Sequence, residues 1–168
     1  MSLMQIPRKI EYALRAMIHL ADHPDGVARG AEIAQQEHIP KYYLEKVIRD
    51  LMRRGLVRAR RGPGGGYQLG RAAHSISFRD VIEAVEGPIT LNVCVEGGTA
   101  CDLQPSCRMF RVWEEGQRVL LEVFSQTTLQ EVASSKPSAA IMHRMVAGRA
   151  AGIAGATASA TATAVVKN

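Results

Sequence analysis

Three cysteines carry the most pointed chemistry in this chain. Cys94, Cys101 and Cys107 are its only cysteines, and all fall within one stretch, CVEGGTACDLQPSC, which holds glycine and proline and has no regular apolar period. Thiolates are soft donors that suit zinc and iron–sulfur clusters. Such centres usually take four protein ligands, and this stretch offers three. The residues alone leave the fourth donor open. An odd, clustered set of cysteines is unlike a disulfide framework and points to a reducing, cytoplasmic compartment.

Positive charge is the second signal. The 168 residues carry a net charge of +5. Between 41 and 61, Lys41, Lys46, Arg49, Arg53, Arg54, Arg58, Arg60 and Arg61 are opposed only by Glu45 and Asp50, so this segment alone is +6 and the remainder is about neutral. A solvated helix face accounts for Arg53 and Arg54. It does not account for the arginine-flanked string Arg61-Gly62-Pro63-Gly64-Gly65 that follows. Glycines at a loop tip let backbone amides approach phosphates, and arginine suits a narrow minor groove. The pattern points to nucleic acid.

Signals for an enzyme are missing. There are no paired carboxylates and no nucleophile–base constellation, and the glycine string lacks the Gly-Lys-Ser/Thr ending of a nucleotide loop. The histidines (19, 23, 38, 74 and 143) are scattered and none lies in the cysteine stretch, so they read as surface or satisfied residues.

The elements that must position these groups are legible from apolar spacing. Residues 8–22 predict an amphipathic helix, with Ile10, Leu14, Met17 and Ala21 on one face and Pro7 before its first turn. On this helix Glu11 and Arg15 stand four apart, the spacing of a surface ion pair. A short helix over 30–37, a turn at His38-Ile39-Pro40 and a helix over 41–54 make a helix-turn-helix, with Leu44, Val47, Ile48 and Leu51 inward and Gly55 as the stop. Strands at 56–60 and 66–69 predict a hairpin wing. Ser77 caps a fourth helix ending at Gly87-Pro88. Residues 107–126 predict a long helix in which Met109, Trp113, Gly116, Leu120 and Val123 step by 4, 3, 4 and 3. That is the seam of a helix–helix dimer contact. Thr128 and Glu131 form a capping box for a last short helix. Residues 135–168 collapse to Ala, Gly, Thr and Ser and predict a disordered tail. That tail is too polar for a membrane span, and Arg8, Lys9 and Glu11 interrupt any signal-peptide core.

The opening MQIPRKIEYALRAMIHLA, the helix YLEKVIRDLMRRGLV and the wing RGPGGGYQLG together resemble the IscR/NsrR (Rrf) family of bacterial winged helix-turn-helix regulators, over Met4 to about Ser134. The resemblance implies a homodimer that binds a double-stranded DNA operator. It implies that Cys94, Cys101 and Cys107 ligate an iron–sulfur cluster, although the C-x6-C-x5-C spacing is one residue longer in its first interval than the expected pattern. In one branch a histidine three residues past the last cysteine completes the set, but Phe110 occupies that place here. In the other branch a carboxylate on the first helix of the other subunit serves, and Glu11 matches it. Three thiolates and a carboxylate favour a 4Fe-4S over a 2Fe-2S cluster, one ligand per corner. The resemblance also implies that Tyr42, Tyr43 and Glu45 face the major groove and that Arg61, Gly64 and Gly65 form the wing tip. Lys41, Lys46, Arg49 and Arg60 supply charge for the phosphates.

The expected fold is therefore mainly α: a winged helix-turn-helix domain with a two-stranded wing (4–87), a cysteine loop (88–108), a long dimerisation helix with a short terminal helix (107–134), and the tail. The expected function is a transcriptional repressor controlled by a cluster that senses iron, redox or nitric-oxide status. A zinc-stabilised or thiol-redox regulator using the same cysteines is the alternative.

Overall fold

The computed structural model of the chain describes residues 6–23, 26–95 and 106–135. The expectations for Cys101 and for the tail beyond Ser135 fall outside those residues. Up to Ser134 the chain forms one compact unit.

Helix α1 (Arg8–Asp22) is the centre of the fold. Pro7, with φ of −55°, precedes its first turn, where a missing N–H costs nothing. Ile10, Ala13, Met17 and Leu20 recur at helical spacing and are all buried. They pack against α3 (Lys41–Arg53), α4 (Phe78–Glu86) and α6 (Leu129–Ser134). Burying each large apolar side chain of this core, such as Met17, Leu20 or Leu51, contributes about 1.5–3 kcal/mol.

Helix α2 (Gly30–Gln36) and α3 form the helix-turn-helix. The turn between them places His38 at φ of 52°, a conformation that costs a non-glycine residue about 1–2 kcal/mol. Ile39 holds the turn: its side chain is buried, and its N–H donates to the Ala34 carbonyl at 2.9 Å. Helix α3 stops as the sequence predicts. Gly55 takes φ of 70°, and the Leu56 N–H donates back to the Leu51 carbonyl at 2.9 Å. That closure turns the buried Leu56 into the core and launches the wing.

The wing is an antiparallel hairpin of β1 (Val57–Arg60) and β2 (Gly66–Leu69), in register Val57↔Leu69 to Arg60↔Gly66. It is not free-standing. Ala28 pairs with Tyr67 through two backbone hydrogen bonds of 2.9 and 2.8 Å, so the segment before α2 extends the sheet. A two-stranded hairpin alone is marginal in water; this third segment fixes the wing to the helix-turn-helix.

A capping box closes the start of α4. The Asp80 N–H donates to Ser77 Oγ at 3.1 Å, and the Ser77 N–H donates to Asp80 Oδ2 at 2.9 Å. The long helix α5 runs Phe110–Gln126, starting three residues later than predicted. Cys107–Met109 form a turn instead, with the Phe110 N–H on the Cys107 carbonyl at 3.2 Å. Helix α6 then returns to pack on α1. Leu129 is fully buried, its N–H donates to the Ile76 carbonyl at 2.9 Å, and the Phe78 N–H donates to the Thr127 carbonyl at 2.9 Å. The predicted Thr128–Glu131 capping box is present, with reciprocal hydrogen bonds of 3.2 and 3.3 Å. No described helix is long and apolar enough to cross a membrane.

Candidate functional site

One face of α3 buries Leu44, Val47, Ile48 and Leu51, and the opposite face presents Lys41, Tyr42, Tyr43, Glu45, Lys46 and Arg49 to solvent. Tyr42 is 63% exposed, large for an aromatic side chain. It is also organised: Lys46 Nζ sits 4.8 Å above its ring, and its ring meets Tyr43 edge-on at 5.7 Å. Tyr43 in turn packs on Tyr12 of α1 at 5.8 Å, which makes it both an outward-facing residue and an anchor. Among the described residues neither Glu45 nor Arg49 makes an ion pair, whereas Arg53 is bound to Asp50.

Arg58, Arg60 and Arg61 are exposed and likewise make no ion pair among the described residues. Arg58 and Arg60 share one face of β1, because side chains alternate along a strand. At the tip Gly64 has φ of 76°, and a Cβ on Gly65 would lie 2.4 Å from the Arg60 carbonyl oxygen. The Gly65 N–H donates to the Gly62 carbonyl at 2.9 Å, so it closes the turn and is not directed outward. The exposed cationic groups flanking this tip are the side chains of Arg60 and Arg61. Changing Arg49 or Arg61 to Ala is expected to weaken duplex binding and to lower the log–log salt slope by about 1 for each phosphate no longer neutralised, read by fluorescence anisotropy over a salt series.

Two of the three cysteines lie among the described residues. Cys94 lies in a single 3-10 turn (Val93–Val95) and Cys107 in the turn before α5; both are half-buried and neither is in a disulfide. The approach to Cys94 is fastened by Gln117, a residue to which the sequence alone assigns no role. Buried Gln117 donates from Nε2 to the Ile89 carbonyl at 2.6 Å and accepts from the Leu91 N–H at 2.8 Å. A lone amide on the apolar side of α5, four residues after Trp113 and three before Leu120, is the signal that could have found it. Among the described residues no three His, Cys, Asp or Glu side chains gather to hold a metal. Thiols such as those of Cys94 and Cys107 suit iron or zinc rather than magnesium or calcium.

Glu11 is elsewhere in its own chain. Its carboxylate accepts from Arg15, as the i,i+4 spacing predicts, and Arg15 Nη1 also donates to the Glu37 carbonyl at 3.2 Å. Glu37 caps the C-terminal end of α2, inside the helix-turn-helix turn. A second link lies one helical turn on: buried His19 donates from Nδ1 to Glu37 Oε1 at 3.0 Å. His23 likewise meets Glu32 at 3.2 Å, and this hydrogen bond holds the Glu32 carboxyl below its usual range. One ring nitrogen of each histidine thus meets a carboxylate on or beside α2, while the other, His19 Nε2 or His23 Nδ1, is buried without a hydrogen-bond partner among the described residues, so the two are only half satisfied.

Helix α5 has three faces. Gln117 is its only buried residue. A charged face carries the bidentate Glu115–Arg118 pair (2.6 and 2.8 Å), with Glu122 on the remaining Arg118 nitrogen at 2.9 Å. The third face is apolar and uncovered: Val112 is 71% exposed, Val119 is 44% and Met109 is 63%. Trp113, Gly116, Leu120 and Val123 are half-buried. Trp113 and Leu120 share the side of Gln117 by helical spacing. A Cβ on Gly116 would lie 3.3 Å from Leu91 of the same chain. The exposed apolar positions of α5 are therefore Val112 and Val119, seven residues apart, beside the half-buried Gly116 and Val123.

The sequence profile of the Rrf2 family, described as an iron-dependent transcriptional regulator, matches residues 6–135. The HTH-type transcriptional regulator IscR of Pectobacterium carotovorum subsp. carotovorum is 32% identical over 134 residues, covering 79% of this chain and 81% of that protein. CymR of Bacillus subtilis is 36% identical over 132 residues, covering 78% and 91%. The solved structure of B. subtilis CymR, called a global cysteine regulator, superposes with a TM-score of 0.65 at 32% identity, over 79% of this chain and 98% of that one. IscR of T. potens superposes at 0.62 and 27% identity, over 83% and 96%. The mainly α winged helix-turn-helix architecture is common to these proteins and to this chain.

Proposed function

We propose, on the premise that this chain belongs to the Rrf2 family of DNA-binding transcriptional regulators, that it is a cytoplasmic homodimeric repressor whose operator affinity is set by an iron–sulfur cluster. Cys94, Cys101 and Cys107 of one chain, with Glu11 of the partner subunit, would hold the cluster. Bound there, it supplies an iron centre that reacts with oxidants or nitric oxide. Four single-atom donors, one of them a labile carboxylate, favour 4Fe-4S. The exposed α5 stripe, centred on Val112 and Val119 with Met109, Gly116 and Val123 beside it, is the pairing surface. The basic face of α3 and the arginines of the wing meet the major groove and the phosphates.

One observation carries this reading: the hydrogen-bonded path from Glu11 through Arg15 to the Glu37 carbonyl. A carboxylate drawn to a metal shares less of its charge with Arg15. Arg15 would then keep only the carbonyl in the helix-turn-helix turn, and the tie it makes between α1 and α2 would be altered. Small changes in the placement of two recognition helices change the match to half-sites about one DNA turn apart.

Anaerobic reconstitution with iron and sulfide tests the reading by absorbance and Mössbauer spectroscopy. Wild type is expected to turn brown, and Glu11→Ala to bleach in air at least ~10-fold faster, the loss typical when even outer-shell support of a metal is removed. Unchanged cluster yield and lifetime in Glu11→Ala would remove Glu11 from the site. The likeness to CymR supports a second reading, a thiol-redox or zinc-stabilised regulator on the same cysteines. A colourless wild-type protein, with stoichiometric zinc or a peroxide-reversible disulfide, selects it.

A further inference from the structure

Lys9 lies on α1 two residues before Glu11, and its side chain reaches into the junction of three helices. Its ammonium is 3.1 Å from Asp50 Oδ2 on α3 and 3.7 Å from Glu86 Oε1 on α4, and it donates to the Val85 carbonyl in the last turn of α4. That carbonyl belongs to the set that a helix C-terminus leaves without intrahelical donors, at the negative end of its dipole. One cation thus joins a carboxylate of the recognition helix to the end of a second helix. Asp50 is the more enclosed partner, with 17% of its side chain exposed, and its other oxygen accepts from Arg53. Asp50 directly follows the outward-facing Arg49. Beside this junction Tyr12 packs on Tyr43, so α1 grips the same flank of α3 at two successive turns.

We infer that Lys9 is a positioning residue for DNA recognition: through Asp50 it fixes the flank of α3 against α1 and α4 without itself touching DNA. The clamp rests on operator binding and not on any cluster. If Glu11 is a ligand, the same turn of α1 that feels the cluster also holds α3.

The test uses the full-length protein and a DNA duplex that the wild type selects from a random-sequence pool. Affinity and salt slope are measured for wild type, Lys9→Met, Lys9→Arg and Asp50→Asn, and for Lys9→Met in the Asp50→Asn background. Methionine keeps the apolar stem and removes the charge. Lys9→Met is expected to weaken binding about tenfold in wild type but less than about threefold when Asp50 is already Asn, because the partner it serves is gone. Lys9→Arg should stay within about threefold of wild type, and the salt slope should not change. An equal loss in both backgrounds, an Arg variant no better than Met, or a salt slope lowered by about 1, as when a phosphate loses its cation, would overturn the clamp alone. A wild-type protein that selects no duplex would overturn the clamp together with operator binding.

Discussion

A Val112→Glu/Val119→Glu variant is expected to run as a monomer and to lose more than about 100-fold in operator affinity, because two half-site contacts no longer share an effective concentration. Both side chains are exposed in the single chain, 71% and 44%, so the change leaves the subunit's own core intact. Val112 and Val119 lie seven residues apart on one stripe of α5, with the charged Glu115, Arg118 and Glu122 on another. In a twofold dimer each residue meets the same patch of the other subunit. The double substitution therefore brings four carboxylates into one apolar seam, and each unpaired buried charge costs several kcal/mol. Sedimentation velocity reads the mass, circular dichroism confirms that the helices persist, and anisotropy reads DNA binding. A variant that stays dimeric would place the seam elsewhere.

Cys107→Ser is expected to have the second large effect. A serine hydroxyl is harder and stays protonated at neutral pH, so it replaces a thiolate poorly toward iron–sulfur clusters. Cluster yield after anaerobic reconstitution should fall below about a tenth of wild type. The variant should then bind operator DNA with the affinity of cluster-free wild type, whatever the oxidant or nitric-oxide treatment. Cys107 is half-buried in the turn before α5, and serine is close to isosteric, so the turn held by the Phe110 N–H on the residue-107 carbonyl should persist. Full visible absorbance in Cys107→Ser would show that this thiol is not a ligand.

Much of the fold is legible because its signals are local. The helical spacing of Ile10, Leu14, Met17 and Ala21 marks α1, although packing buries Ala13 and Leu20 more fully than Leu14 and Ala21, and Gly55 marks the end of α3. Ser77 and Asp80, and then Thr128 and Glu131, write their own helix starts. Apolar spacing places the start of α5 at Cys107, three residues early, because no strong cap stands there and the period runs back through Met109.

The candidate sites divide along the same line. Charge and exposure on α3 and the wing follow from which residues the core period leaves outside, so Tyr42, Lys46, Arg49, Arg60 and Arg61 can be found by elimination. The α5 stripe cannot be oriented that way. Its apolar residues cover more than half of the circumference, and only the packing of Gln117 and Gly116 against the segment 89–91 shows which side the chain itself uses. Gln117 escapes a sequence reading because a single glutamine on a helix carries no meaning until the backbone groups of Ile89 and Leu91 are seen to need a partner.

The sequence by itself determined the elements, most of their ends, the positive recognition face and the set of soft donors, since each follows from residue type and spacing within a few turns of chain. Only the tertiary structure decided that α6 closes the DNA-binding core, that Ala28 pins the wing, that Arg15 joins Glu11 to the turn before the recognition helix, and that Lys9 reaches Asp50 and Val85. Most of these partners are far apart in sequence and are brought together by burial, which is non-directional and writes no local pattern for the polar contacts it encloses.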